Sequence, residues 1–263
     1  MLEHLKPISG EHSIKQVIAT IFLPQNFLKP QDVFNKLTKS KKFDNYQRRS
    51  LSKLRSINID EKMVKSVDYK VNGLIFEEFD SSNGKIKNIF RITNKPENKS
   101  LISFETRKYK KWSEFKDNLF KVLNNFSGLH EIYVEAILLN YVDEFMWESN
   151  KKIDVESIFN KSSNFLNKKF LESENGTLIL ISQNDTKNDE EYNDEEKTEV
   201  SFNNKMKRIV INHQHAIKLD AMEQYQDLLK NDRLSSYFDK SHITNKLILK
   251  DILSDETQKL INL

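Results

Sequence analysis

The chain has no cysteine and only five glycines and four prolines in 263 residues. Without cysteine there is no disulfide, no thiolate nucleophile and no cysteine-ligated zinc. So few glycines exclude a glycine-rich phosphate loop, a collagen repeat and a flexible linker array. Long apolar runs are missing as well. The longest are residues 132–139, interrupted by Glu135, and residues 178–181. Both fall far short of the ~20 residues that a membrane helix needs. Residues 1–14 carry Glu3, Lys6 and Glu11 and no apolar stretch of signal-peptide length, so a cytoplasmic chain without membrane association is expected. Neither Gly-x-Ser-x-Gly nor His-Glu-x-x-His occurs.

What the chain does have is charge and aromatic bulk. Charged residues make up 31% of it, and 17 Phe, 8 Tyr and 2 Trp supply the area for a core. The net charge of +3 conceals an asymmetry. Residues 29–121 hold 23 basic and 12 acidic side chains, a balance of +11, and residues 122–263 hold 17 and 25, a balance of −8. A basic half suits an anionic partner. Equally, the two halves neutralise each other within the fold or across a dimer, because the lysines are scattered and do not line one periodic face.

Hydrophobic periodicity divides the chain into elements. Residues 14–23 are apolar on both alternating sides, the pattern of a central strand stopped by Pro24. Pro30 opens a helix with Val33, Phe34 and Leu37 on its stripe. Residues 41–59 are polar and weakly patterned, and read as a loop with one helical turn. Residues 67–79, 86–92 and 101–109 make an antiparallel three-stranded meander, turning at Ser82-Asn83-Gly84 and at residues 94–98. Ser113 is placed to cap a helix carrying Phe115, Leu119, Val122, Leu123 and Phe126, which Gly128 closes. A long strand follows over residues 131–145.

In the second half, Asp154 caps a helix reaching Phe165 and Leu166, and residues 177–183 form a short strand. Residues 184–197 hold seven carboxylates and little that is apolar, and read as an exposed, mobile hairpin loop. They lack the spacing of an EF-hand calcium loop. Residues 200–219 return as strand with a turn at Asn203-Asn204. Residues 221–229 and 239–253 read as helices, and Ser254 caps a last one. Each half has one long strand, a helix and a meander, as a duplicated unit would.

Four groups of residues are candidates for function. Arg107, Lys108, Tyr109, Lys110 and Lys111, followed by Trp112, form a basic run with aromatics that suits phosphates and stacked bases. Against this, Trp112 serves equally to anchor a helix in the core. His242, Asn245 and Lys246 share one helical face and suit an anion or a partner backbone. His213 and His215 are two apart on a strand, so both rings point the same way. With a third ligand from Asp220 or His242 they would hold a divalent metal. Glu78 and Asp80 share a strand face opposite Glu77 and are a candidate acid/base pair, although strand-end carboxylates are ordinarily just solvated.

Three segments carry a family resemblance. They are Pro7 with residues 14–19 (Ile-Lys-Gln-Val-Ile-Ala), residues 90–93 (Phe-Arg-Ile-Thr), and the run Tyr109-Lys110-Lys111-Trp112-Ser113-Glu114-Phe115. Over residues 7–145 the chain resembles an uncharacterised prokaryotic family of similar length. That family shows an early P-I-x-E-A strand, a Y-x-x-W-x-x-F motif opening the first long helix, and a later strand reading R-I-G-L-R-Y-I-N. Here that later strand runs over residues 132–143 and ends in Tyr141-Val142-Asp143, with the arginines absent. The resemblance implies no established activity. The sporadic occurrence of the family implies a gene of the defence or toxin–antitoxin kind.

The expected fold is α+β: a mainly antiparallel, twisted sheet with helices on one face, in two lobes, residues 1–148 and 149–263, without a linker between them. The expected function is a non-enzymatic binding protein, an accessory, sensor or neutralising subunit with a protein partner or a second copy of itself. The alternatives are a nucleic-acid-binding module built on residues 29–121, and a metal-dependent hydrolase built on His213 and His215. No cofactor is expected beyond that divalent metal.

Overall fold

The computed structural model describes residues 2–26, 29–60, 63–125, 131–184 and 192–263. Its described strands are β1 (Leu5–Pro7), β2 (Ile14–Leu23), β3 (Arg48–Asp60), β4 (Met63–Phe79), β5 (Ile86–Asn94), β6 (Ser100–Thr106), β7 (Tyr133–Trp147), β8 (Asn175–Asn184), β9 (Tyr192–Asn203) and β10 (Arg208–Gln224). The helices are α1 (Pro30–Thr38), α2 (Trp112–Leu123), α3 (Val155–Ile158), α4 (Lys168–Leu171), α5 (Tyr225–Lys230), α6 (Arg233–Ile252) and α7 (Asp255–Leu260).

The described strands form one open antiparallel sheet in the order β3-β4-β5-β6-β2-β7-β10-β9-β8. Strand β1 prolongs the lane of β2. It pairs with residues 145–147 of β7, while β2 pairs with residues 136–143. Alternation sorts the side chains by face. Ala19 and Ile21 lie beside Phe104 and Ile102, those beside Phe90 and Ile92, and those beside Phe76 and Leu74. All eight are buried on the same face, and the helices pack there. This is the α+β arrangement that the patterning predicts.

Two apolar cores lie on that face. The first joins β2, β4–β6 and the first part of β7 to α1, α2, α5 and the start of α6. The second joins Phe145 and Trp147 of β7 and Ile209 and Ile211 of β10 to α3, α4 and the end of α6. Helix α6 spans both, with Leu234, Tyr237 and Phe238 in the first core and Ile248, Leu249 and Ile252 in the second. Between the cores runs a buried polar band: Ser13, Asp143, His213, His215, Ser241, Asn245 and Asp194.

Several sequence expectations are corrected. Residues 48–60 form strand β3, not a loop, because thirteen residue pairs with β4 supply the backbone hydrogen bonds. An edge strand tolerates the polar side chains that obscured it. Residue 192 onward is strand β9, so only residues 185–191 of the expected acidic loop are left, and they lie outside the described residues. Lys111, not Ser113, is the N-cap residue of α2, and its side chain makes no capping bond. Gly128 and Phe126 lie outside the described residues. Asp154 does cap a helix, accepting from Ser157 N, but that helix ends at Ile158, short of Phe165 and Leu166. Strand β10 runs to Gln224 and α6 begins at Arg233, so residues 221–224 are extended and His242 sits mid-helix.

Candidate functional site

The lane of β1 and β2 is broken over residues 8–13, where Gly10 adopts φ +85° and the register shifts between Ile14 and Gln16. The positive φ suits glycine, which has no Cβ to clash there. The chain leaves the sheet at this break beside Asp143, in the middle of β7. On that side Asp143 meets Ser13, whose hydroxyl donates to Oδ1 at 2.6 Å. Helix α6 crosses above and presents His242, Asn245 and Lys246. The segment between β6 and α2 supplies Tyr109, Lys110 and Lys111, and Trp112 opens α2. Together these residues enclose a cleft of about 330 Å³, with Glu11, His12 and Leu263 also at its walls.

The aromatic wall is held by directed bonds. Trp112 stacks on His242 with centroids 4.5 Å apart and planes 11° from parallel. Its indole N–H donates to Asp239 Oδ1 at 2.7 Å, and Lys116 Nζ donates to Oδ2 at 2.6 Å. His242 Nδ1 lies 2.8 Å from the Tyr141 hydroxyl, which shares a hydrogen bond with Tyr109. Burial, with Lys246 adding to it, pushes the His242 pKa down to about 4, so the ring is neutral at pH 7. Burial raises both tyrosines.

The floor is electrostatically unusual. Asp143 is fully buried, and burial pushes its pKa up to about 6 although the Ser13 hydrogen bond opposes the shift. Among the described residues its second oxygen, Oδ2, has no donor, and neither has Asn245 Oδ1 on the facing helix. Buried polar atoms are nearly always paired, and these two unpaired acceptors belong to residues that line one cleft.

Read as sequence, Tyr109, Lys110 and Lys111 belong to one candidate group and His242, Asn245 and Lys246 to another. The structure brings both groups into this cleft. It separates Arg107 and Lys108 from them. Arg107 donates to Glu105 at 2.6 Å and Lys108 to Asp80 at 2.6 Å, on a neighbouring groove that also holds Lys15, Lys85 and Lys87. Tyr109 is half-buried and packs against Phe115 and Tyr141. The strand-end carboxylates are ion-paired: Glu77 with Arg48, Glu78 with Lys87 at 3.1 Å, and Asp80 with Lys108.

His213 and His215 do point the same way, but into the protein and not toward solvent; both are buried. His215 Nδ1 lies 2.8 Å from Ser241 Oγ, and its Nε2 is 3.6 Å from Asp194 Oδ1. His213 Nε2 is 3.9 Å from Glu196 Oε2. Burial lowers the His215 pKa, against the pull of Asp194 and Glu196. Lys240 donates to Asp194 Oδ2 at 2.8 Å. The expected third ligands are elsewhere: Asp220 is exposed and accepts from Asn193, and His242 is in the cleft. Among the described residues no three His, Asp or Glu side chains are arranged to hold a metal ion.

Ser13 and Asp143 are the site residues that sequence reasoning missed. The signal for Asp143 was present. Tyr141, Asp143 and Phe145 alternate on one face of an otherwise apolar strand, and a carboxylate at such an inward position needs a reason. Ser13 carries no comparable signal. Among the described residues no helix is long and apolar enough to cross a membrane. Compared with known proteins, the chain matches no family model, no curated protein and no solved structure.

Proposed function

We propose that this chain is a non-enzymatic binding protein that holds a small polar ligand in the cleft beneath α6. One observation carries the reading: Asp143 Oδ2 and Asn245 Oδ1 are buried acceptors without a protein donor, and both line the same cleft. Leaving such a group unsatisfied costs roughly 1–3 kcal/mol. Folds retain that cost mainly where a bound group relieves it. The hydroxyl and imidazole beside them are already engaged. The Ser13 proton goes to Asp143 and His242 Nδ1 faces Tyr141, so the two do not form a nucleophile and its base.

The test is native mass spectrometry of the protein purified at low salt from its own host, beside the Asp143→Asn variant prepared identically. The expected spectrum shows an added mass of roughly 100–300 daltons, as a cleft of this size accommodates. Solvent denaturation releases it, and the variant lacks it. A bare-chain mass in every preparation, with no metabolite of a screened set raising the melting temperature, overturns the reading.

A second reading, self-association, is favoured by the free edge at β8. The strand Asn-Gly-Thr-Leu-Ile-Leu-Ile-Ser-Gln-Asn has no charge, no proline and no bulge against β9, and Ile179 and Ile181 are 51% and 65% exposed. Such an edge invites another strand, and an uncharged one meets its own copy without repulsion. The wider role we propose, as a subunit of a bacterial defence or toxin–antitoxin module, is supported by the family resemblance of residues 7–145 alone.

A further inference from the structure

The two ends of the cleft differ in sign. Its floor is Asp143, wholly buried, whose Oδ2 has no donor among the described residues, and Asn245 Oδ1 on the same cleft's lining is a second buried acceptor without one. Its mouth carries Lys110, Lys111 and Lys246, all exposed, against the single carboxylate side chain of Glu11. Among the described residues none of the three lysines forms an ion pair, whereas the neighbouring Arg107, Lys108 and Lys116 all do.

Each end excludes a class of ligand. A simple cation satisfies the floor but must pass three like charges at the mouth. A simple anion satisfies the mouth but brings its charge toward a buried carboxylate, where the low dielectric makes repulsion large. A neutral polyol leaves the lysines without a partner. A ligand with a cationic donor at one end and an anion at the other meets both requirements. The volume, about 330 Å³, lies at the small end of the range for ligand sites and suits a molecule of amino-acid size over a nucleotide.

Resting on the binding reading above, we infer that the cleft takes a small zwitterion of the free amino-acid class. Its ammonium or guanidinium group donates to Asp143 Oδ2 and Asn245 Oδ1, and its carboxylate reaches the lysines at the mouth. Charge-assisted hydrogen bonds at the floor give such a ligand its orientation.

The test is isothermal titration calorimetry of the full chain with each of the common free amino acids. Arginine methyl ester and putrescine serve as cation-only probes, and succinate as an anion-only probe. The expected result is binding of at least one free amino acid with Kd below ~1 mM. Asp143→Asn weakens it at least tenfold. The double variant Lys111→Ala, Lys246→Ala weakens the amino acid but leaves its methyl ester, already weak, unchanged. Far-UV circular dichroism and the melting temperature establish that each variant is folded.

Succinate binding alone, or equal binding of an amino acid and its ester, overturns the zwitterion assignment. If the host-purified protein carries a small molecule that is not a zwitterion, the assignment fails and the binding reading stands. If nothing binds and nothing is retained, both fail.

Discussion

Asp143 is the residue on which the site turns, and its burial has a measurable consequence for stability. The folded carboxyl has a pKa of about 6, against 3.8 for the ordinary group. A raised acid pKa means that folding favours the protonated form. The stability it contributes is complete below the unfolded pKa, and it is lost as pH rises through the folded one. A difference of that size is worth about 3 kcal/mol in all, of which about 2 kcal/mol falls between pH 4 and pH 7. The groups facing Asp143 are Ser13, Tyr109, Tyr141 and His242, with Lys246 further out. His242 is neutral over most of that window and both tyrosines are uncharged throughout it. Asp143→Asn removes the titration while keeping an acceptor for Ser13. The variant should gain stability relative to wild type by about 2 kcal/mol on going from pH 4 to pH 7, read by urea unfolding at both. A difference that does not change with pH refutes the buried-carboxylate account. On the binding reading proposed above, the residue that the fold would shed for stability is the one that holds the ligand.

At the scale of elements, legibility followed side-chain pattern. Strand β2, the β4–β6 meander and β7 were legible because their apolar residues alternate. Helices α1 and α2 were legible because theirs recur at helical spacing. Strand β3 and residues 192–199 of β9 were not, since their pairing is a backbone property and their side chains are largely polar. Asp194, Glu195 and Glu196 read as a solvated loop, yet β10 supplies a partner strand, and Lys218 pairs with Glu195 across it. Gly73 likewise looks incidental in sequence. A Cβ there would lie 2.1 Å from the Ile92 carbonyl oxygen, so its absence is what allows β5 to approach β4.

The two edges make a contrast with a consequence. Strand β3 carries Arg48, Arg49 and Lys53 and two register shifts against β4, devices that discourage pairing with another chain. Strand β8 has none of them. The expected behaviour is concentration-dependent dimerisation through β8, abolished in the double variant Ile179→Lys, Ile181→Lys. Both side chains sit on the face opposite the helices, so the cores are untouched. Sedimentation velocity over a range of concentrations decides the matter. A wild-type chain that stays monomeric throughout, or a lysine variant that still dimerises, sinks the β8 assignment.

For the molecule as a whole, the question is whether the two cores are separate folding units. Composition offered no linker near residue 148, and the structure explains why none is needed. Three elements thread both cores: β7 through Ile137 and Phe145, β10 through Ile217 and Ile211, and α6 through Phe238 and Leu249. Strands β7 and β10 are also paired along most of their length. Unfolding one core while keeping the other would break a central strand pair and cut α6 in two. The charge asymmetry fits the same picture, since Lys99 with Glu135 and Lys116 with Asp239 join the basic half to the acidic one. Nature has placed one tryptophan beside each core: Trp112 packs against the first and Trp147 is buried in the second. Trp147→Phe therefore leaves a reporter of the first core, and Trp112→Phe leaves a reporter of the second. In each variant, urea unfolding followed by fluorescence should coincide with that followed by far-UV circular dichroism. Trp112→Phe also loses the bond to Asp239, so its midpoint should shift, but both probes should shift together. If either tryptophan reports a transition separate from the dichroism, the polar band beneath α6 is a boundary between two folding units. If the curves superimpose, that band lies inside a single cooperative structure, and ligand held there stabilises the whole chain.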